Sequence, residues 1–191
     1  MLKLRTLVAA CVLPFCSSAQ TTAPDAVNQW IRGGEYHDPD FPVSVKLPDG
    51  WTVRPVVQSG GPEKTVALIN PQGTSESSLY FKMRPNPAAT EEEAYRFLAG
   101  RAEVKARERA TAPTLADYRI RSDSAERREV GGWPALSCVA DFTLHGVKMV
   151  EYMTWVNGEK ATAFFFARIP AAGLAALRGR LDPVIETLKL P

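Results

Sequence analysis

The sequence predicts an α+β protein, a mainly antiparallel β-sheet flanked by helices in α/β/α or α/β layers. Three observations carry this. Short segments that alternate apolar and polar residues, or stay apolar on both faces, are each closed by a Gly- or Pro-containing turn. An amphipathic stretch lies mid-chain behind a helix-capping sequence, and a second lies near the C-terminus. No internal repeat is visible, and 191 residues suit one well-buried core better than two full-sized domains.

In chain order, Lys3 and Arg5 precede the apolar run 7–15 and the small residues Ser17, Ser18 and Ala19, which is the order of a secretory signal. Residues 1–19 are therefore expected to be a signal peptide cleaved after Ala19. The run is well short of the roughly 20 residues that a membrane-spanning helix needs, and no later segment is continuously apolar. Val8-Ala9-Ala10-Cys11 resembles a lipobox, but so few apolar residues precede Cys11 that anchoring there is not expected. Residues 20–35 are small and polar apart from Val27, Trp30 and Ile31, as in a leader that stays mobile or docks late, so the domain is expected over 36–191.

Phe41, Val43, Val45 and Leu47 alternate with Pro42, Ser44 and Lys46, a period-two strand ending at Pro48-Asp49-Gly50. Trp51 opens a second strand through Val57. After Gly60-Gly61-Pro62 come strands over 65–69 and 78–83, separated by Asn70-Pro71-Gln72-Gly73, which makes four strands in succession. Thr90 with Glu93 forms a capping-box pattern, and Tyr95, Phe97, Leu98, Ala102 and Val104 continue it at helical spacing. Strands are expected again over 118–121 and 125–130. Three longer ones follow, punctuated by Gly131-Gly132, His145-Gly146 and Asn157-Gly158. The arms 147–156 and 161–169 are apolar on both faces, so they are expected to be central and covered on both sides. Cover comes from the mid-chain helix and from a second over 171–188, with an apolar stripe of Leu174, Leu177, Leu181, Ile185 and Leu188. Pro183 is expected to kink or restart that helix, with Asp182 as the new cap.

Nothing in the charge suggests a polyanion partner. Losing Lys3 and Arg5 with the signal leaves 21 basic residues against 21 acidic. Arg101, Lys105, Arg107 and Arg109 are interleaved with Glu103 and Glu108 as on a solvated helix face, and no nucleic acid is expected as partner. Cys11 and Cys16 fall in the signal, leaving Cys138 alone, so stability rests on the core rather than on a disulfide.

The chemistry-bearing residues are sparse. With only His37 and His145, and His145 in a hairpin turn, a Ser-His-Asp arrangement has little to work with. His37, Asp38 and Asp40 are the candidate metal ligands, one imidazole and two carboxylates, without a second histidine or metal-type spacing beside them. Cys138 alternates with Leu136, Ala140 and Phe142 as a small core hydrophobe. Glu126 with Glu129, and 91–93, read as a strand edge and a first helical turn. No glycine pattern supports nucleotide binding, and no cofactor is expected. Trp51, Trp133 and Trp155 are the candidates for a groove or partner surface.

The segment Phe41-Pro42-Val43-Ser44-Val45-Lys46-Leu47-Pro48-Asp49-Gly50-Trp51 resembles the opening of the PsbP-like families. The later order is similar: Asn70-Pro71, the helix at Thr90-Glu91-Glu92-Glu93, Gly131-Gly132-Trp133-Pro134-Ala135, the aromatic strand 163–167 and the closing Thr187-Leu188-Lys189-Leu190. The resemblance covers nearly the whole expected mature chain. It implies the antiparallel sheet sandwiched by helices that these proteins share with the Ran-binding Mog-type proteins, and binding modules rather than enzymes. It carries no site residues with it. The leading expectation is thus a non-catalytic exported protein, periplasmic or secreted, that engages a protein partner or supports an envelope assembly. The alternative is a small-ligand or metal-binding periplasmic protein using a cleft near His37, Asp38 and Asp40, and a hydrolase comes third.

Overall fold

The computed structural model describes residues 30–39, 41–56, 63–69, 76–83 and 90–190. The expected signal peptide, most of the leader, Asp40 and the turns at 60–62 and 70–73 lie outside the described residues. Among the described residues, no helix is long and apolar enough to cross a membrane.

Two sheets are present among the described residues. A small one contains β1 (Ile31–Arg32), β2 (Glu35–His37) and β3 (Ser44–Lys46). The large one has β4 (Thr52–Val56), β5 (Glu63–Ile69), β6 (Glu76–Met83), β7 (Leu115–Ile120), β8 (Glu126–Val130), β9 (Trp133–Leu144), β10 (Val147–Asn157) and β11 (Ala161–Pro170). Its order is β4-β5-β6-β11-β10-β9-β7, with β8 also paired to β9, and every pairing is antiparallel. Helix α1 (Glu91–Ala110) packs on β7, β9 and β10, and α2 (Leu174–Ile185) packs on β10, β11 and β3. The expected α+β architecture with a helix on each face is therefore the observed one.

One expectation about the start of the chain is corrected. Ile31, Arg32 and Glu35, assigned to a leader over 20–35, are hydrogen-bonded in the β1–β2 hairpin. The four successive strands expected from Phe41 onward are present; the first, around Val45, joins the small sheet and the other three open the large one. The C-terminal side of the small sheet is tied down by the chain's other end. Ser44 and Lys189 exchange backbone hydrogen bonds of 3.2 and 2.8 Å, Lys46 N–H donates to Thr187 Oγ1, and Lys189 Nζ reaches Glu35 at 2.9 Å.

The central strands are buried on both faces, as their two-sided apolarity requires. Val150, Tyr152 and Val156 of β10, with Val139, Phe165 and Ile169, form the core beneath α2 and the small sheet. Met153 and Trp155, with Cys138, Phe142 and Phe164, form the core beneath α1. Cys138 is thus the core residue its strand pattern predicts, and burial pushes its thiol up to about 12.

The capping box is realised. Thr90 Oγ1 accepts from Glu93 N–H and Glu93 Oε2 accepts from Thr90 N–H, both at 3.2 Å. The charged stripe behind it is less solvated than expected, because Arg109 turns inward to the buried Glu151. Helix α2 also departs from expectation, running through Pro183 to Ile185. The missing N–H would have bonded the carbonyl of Gly179, which is exposed and open to water. Asp182 caps nothing there; its carboxylate accepts from Tyr152 at 2.5 Å and Arg128 at 3.1 Å, across the helix–sheet interface.

Long β9 is shared by two partners, β7 toward its end and β8 toward its start. Ser124 bridges the gap between them: its hydroxyl accepts from Val139 N–H at 3.0 Å and donates to Arg121 C=O at 2.7 Å. Ser124→Ala leaves Val139 N–H without that acceptor in the interior of the sheet, and should cost about 1–3 kcal/mol in chemical denaturation. An unchanged midpoint would show that the hydroxyl adds nothing to the ladder.

Candidate functional site

The hairpins from β8 to β11 form a meander, so their turns alternate between the two ends of the sheet. The 131–132 and 158–160 turns therefore share one end, and the N-terminus of α1 joins them. Gly131 and Gly132, with φ of 59° and 85°, make a tight primed turn from Val130 to Trp133. Gly131 has a second constraint, because an added Cβ would stand 2.4 Å from Leu188 O. The Asn157-Gly158 hairpin exists, but its tip is Glu159-Lys160, closed by Gly158 N–H to Ala161 O at 2.9 Å. Gly158 serves close approach instead, since a Cβ there would meet Leu190 Cβ at 2.9 Å.

Between these elements lies a cleft of about 420 Å³, lined by Glu91, Tyr95, Glu129, Trp133, Asn157 and Glu159 among others. Trp133 is half-buried, packed on the α2-side core and presented to the cleft. Tyr95 is held by its hydroxyl, which donates to Arg128 C=O at 3.0 Å, and the Arg127 guanidinium covers its ring at 4.6 Å. Burial, reinforced by the charge of Glu91, raises the phenol above its usual range. Among the described residues, three exposed carboxylates line the cleft and no Lys or Arg does. Glu91 is favourably placed in the first turn of α1, where the helix dipole stabilises negative charge. The cleft is built to attract a cation and offers an aromatic face beside it.

The residues singled out from sequence are dispersed. Trp51 is half-buried against the α2-side core, away from the cleft lining. Trp155 is 2% exposed and stacked on Phe164 at 4.5 Å, so it is a core residue and cannot touch a partner. Asp38 is buried, its carboxylate accepting from Tyr36 OH at 2.5 Å and from Phe41 N–H at 3.0 Å, which closes the loop between β2 and β3. His37 is exposed beside Glu35, 3.9 Å away. No three His, Cys, Asp or Glu side chains gather as a metal site among the described residues. His145, at φ 49°, sits with Gly146 in the β9–β10 turn.

Another ion pair fixes the opposite part of β9. Arg121 donates twice to Asp141, at 3.0 and 2.7 Å, and holds that carboxyl below its usual range. The folded-state value lies below the unfolded one, so the pair stabilises above the ordinary Asp range and is lost as pH falls through the folded value. Acid destabilisation below about pH 4 should therefore be shallower in Asp141→Asn, by under about 1 kcal/mol since both side chains are a third exposed. An identical acid profile would remove this pair from the pH dependence.

The architecture is that of the PsbP-like fold. No family model matches the chain, and no curated protein matches it. Among solved structures, cyanobacterial PsbP from Synechocystis sp. PCC 6803 is 12% identical with a TM-score of 0.53, over 82% of this chain and 91% of that one. A protein of Bacteroides thetaiotaomicron VPI-5482 is 15% identical with a TM-score of 0.54, over 83% of this chain and 48% of that one, so the chain spans about half that protein's length. LpqN of Mycobacterium tuberculosis, involved in cell envelope biogenesis, is 14% identical with a TM-score of 0.50, over 87% and 96%. At these identities the likeness is one of fold.

Proposed function

We propose that the protein is a non-catalytic, exported binding protein of the cell envelope, and that its contact surface is the acidic Trp133 cleft, which receives a lysine-bearing segment of a protein partner. The observation that carries this is the lining of that cleft: Glu91, Glu129 and Glu159 with no cation among the described lining residues, beside a half-buried tryptophan held on a tight turn. Tryptophan at the edge of a pocket supplies much of the contact energy in protein interfaces, and like-signed rim charge steers an oppositely charged partner. Export rests on the N-terminal pattern of Lys3, Arg5, the run 7–15 and Ser17-Ser18-Ala19. LpqN, whose fold is similar, is described as involved in cell envelope biogenesis, which agrees with such a role without assigning a partner.

Affinity capture from the native envelope fraction tests the reading. Protein carrying Glu129→Lys and Glu159→Lys should lose at least tenfold of the partner retained by the unmodified chain, and retention should fall with rising salt. A partner held equally by the charge-reversed protein would place the contact elsewhere.

A further inference from the structure

The pairing of β9 with β10 stops at Ala135 and Val156. Beyond that pair the two hairpin ends separate, with Trp133 and Pro134 on one side and Asn157, Gly158 and Glu159 on the other, and all five line the Trp133 cleft. The cleft thus begins where the ladder ends, and the β9–β10 hydrogen bonds do not set its width.

The segment that follows α2 bridges this divide. Leu188 O stands against Gly131, where an added Cβ would lie 2.4 Å from it. Leu190 stands against Gly158, where an added Cβ would meet its Cβ at 2.9 Å and its Cδ1 at 3.1 Å. Gly158 is not in the left-handed region, so close approach, by Leu190 and by Ala161 O at 3.1 Å, is what glycine serves there. Lys189, between the two contacts, pairs with Ser44 as a strand residue, so Leu188 and Leu190 lie two extended residues, about 6.6 Å, apart. The segment is anchored along its length. Thr187 Oγ1 accepts from Lys46 N–H at 2.9 Å, and Lys189 exchanges backbone bonds with Ser44. Leu188 is buried in the α2-side core, and Leu190 packs on that core as Trp133 does.

We propose that residues 187–190 are a strap that sets the opening of the Trp133 cleft, with Leu190 as the positioning residue that holds the Glu159 side in place relative to the Gly131 side. The inference rests on reading that cleft as the contact surface. Leu190 is not among the lining residues and acts through the hairpin end it supports. A cleft whose two walls are already fixed loses less conformational entropy when a partner segment enters.

Residue-resolved hydrogen exchange tests the strap without a partner. In Leu190→Ala, the amide of Gly158, which donates to Ala161 O, and that of Trp133 across the divide should exchange at least tenfold faster, while amides over 150–153 in the middle of β10 keep their rates. Lys189→Pro removes the N–H that donates to Ser44 O, at a residue that stands against neither glycine, and should have the same local effect. Leu190→Met, which keeps the apolar bulk, should stay close to the unmodified protein. Unchanged rates at Gly158 and Trp133 in either Leu190→Ala or Lys189→Pro, or a rise that spreads evenly through β10, would overturn the proposal. Partner retention from the envelope fraction separates the two claims. Faster local exchange with retention lowered at least threefold supports both, whereas faster local exchange with full retention upholds the strap and counts against the cleft as the contact surface.

Discussion

Trp155→Ala lowers the unfolding free energy by about 3–5 kcal/mol, the usual cost of removing a large aromatic side chain from a packed core. The indole is 2% exposed, lies on the α1 side of β10 beside Met153, and stacks on Phe164 with the planes 18° apart. Truncation forfeits both the burial of the ring and its stacking, and rigid neighbours on β9 and β11 prevent the void from closing. Guanidinium denaturation followed by circular dichroism measures the loss. Partner retention per folded molecule should be unchanged, because the ring reaches no surface. A near-neutral stability effect with lost partner binding would return Trp155 to the contact surface.

Glu151→Ala should cost a similar amount, about 3–5 kcal/mol. Glu151 is fully buried, and Oε1 accepts from Arg168 Nε at 3.0 Å and from Arg109 Nη2 at 3.3 Å, while Oε2 accepts from Tyr118 OH at 2.5 Å. Burial first, and then the Glu151 charge, push the Tyr118 phenol far above its usual range. Removing the carboxylate leaves two largely buried guanidiniums and a phenol without their acceptor, and it removes the ion pair between the C-terminal end of α1 and β10. Glu151→Gln keeps an acceptor for Tyr118 and should lose clearly less. The same denaturation series compares them, and equal stability of Glu151→Ala and the unmodified protein would show that the cluster is energetically neutral.

Where local chemistry decided the structure, the sequence was readable. The Thr90–Glu93 box, the Gly131-Gly132 turn and the two-sided apolarity of β10 and β11 each imply their element through contacts a few residues apart. The small sheet was not readable as such. Its strands are two or three residues long, and they are stabilised by Lys189 and Thr187 from the far end of the chain. Pro183 misled for a related reason, since the helix tolerates it where the freed carbonyl is solvated and Asp182 is engaged by β8 and β10. Trp155 was recoverable: a strand covered on both faces leaves no exposed side for an indole near its middle. The cleft was half recoverable, because alternation of hairpin ends brings Trp133 and Glu159 together, whereas the position of Glu91 follows from docking of α1. Glu151 carries no local signal, a lone acid in an apolar strand whose cationic partners lie 42 and 17 residues away.

The central claim, that the acidic Trp133 cleft is the contact surface, is tested most directly by zero-length carboxylate-to-amine crosslinking in native envelope extract, with the linked peptides identified by mass spectrometry. The account predicts links from Glu91, Glu129 or Glu159 to lysines of one recurrent partner, and their loss in Trp133→Ala at unchanged folding. Links that recur instead from carboxylates outside the cleft, or that persist undiminished in Trp133→Ala, would contradict it.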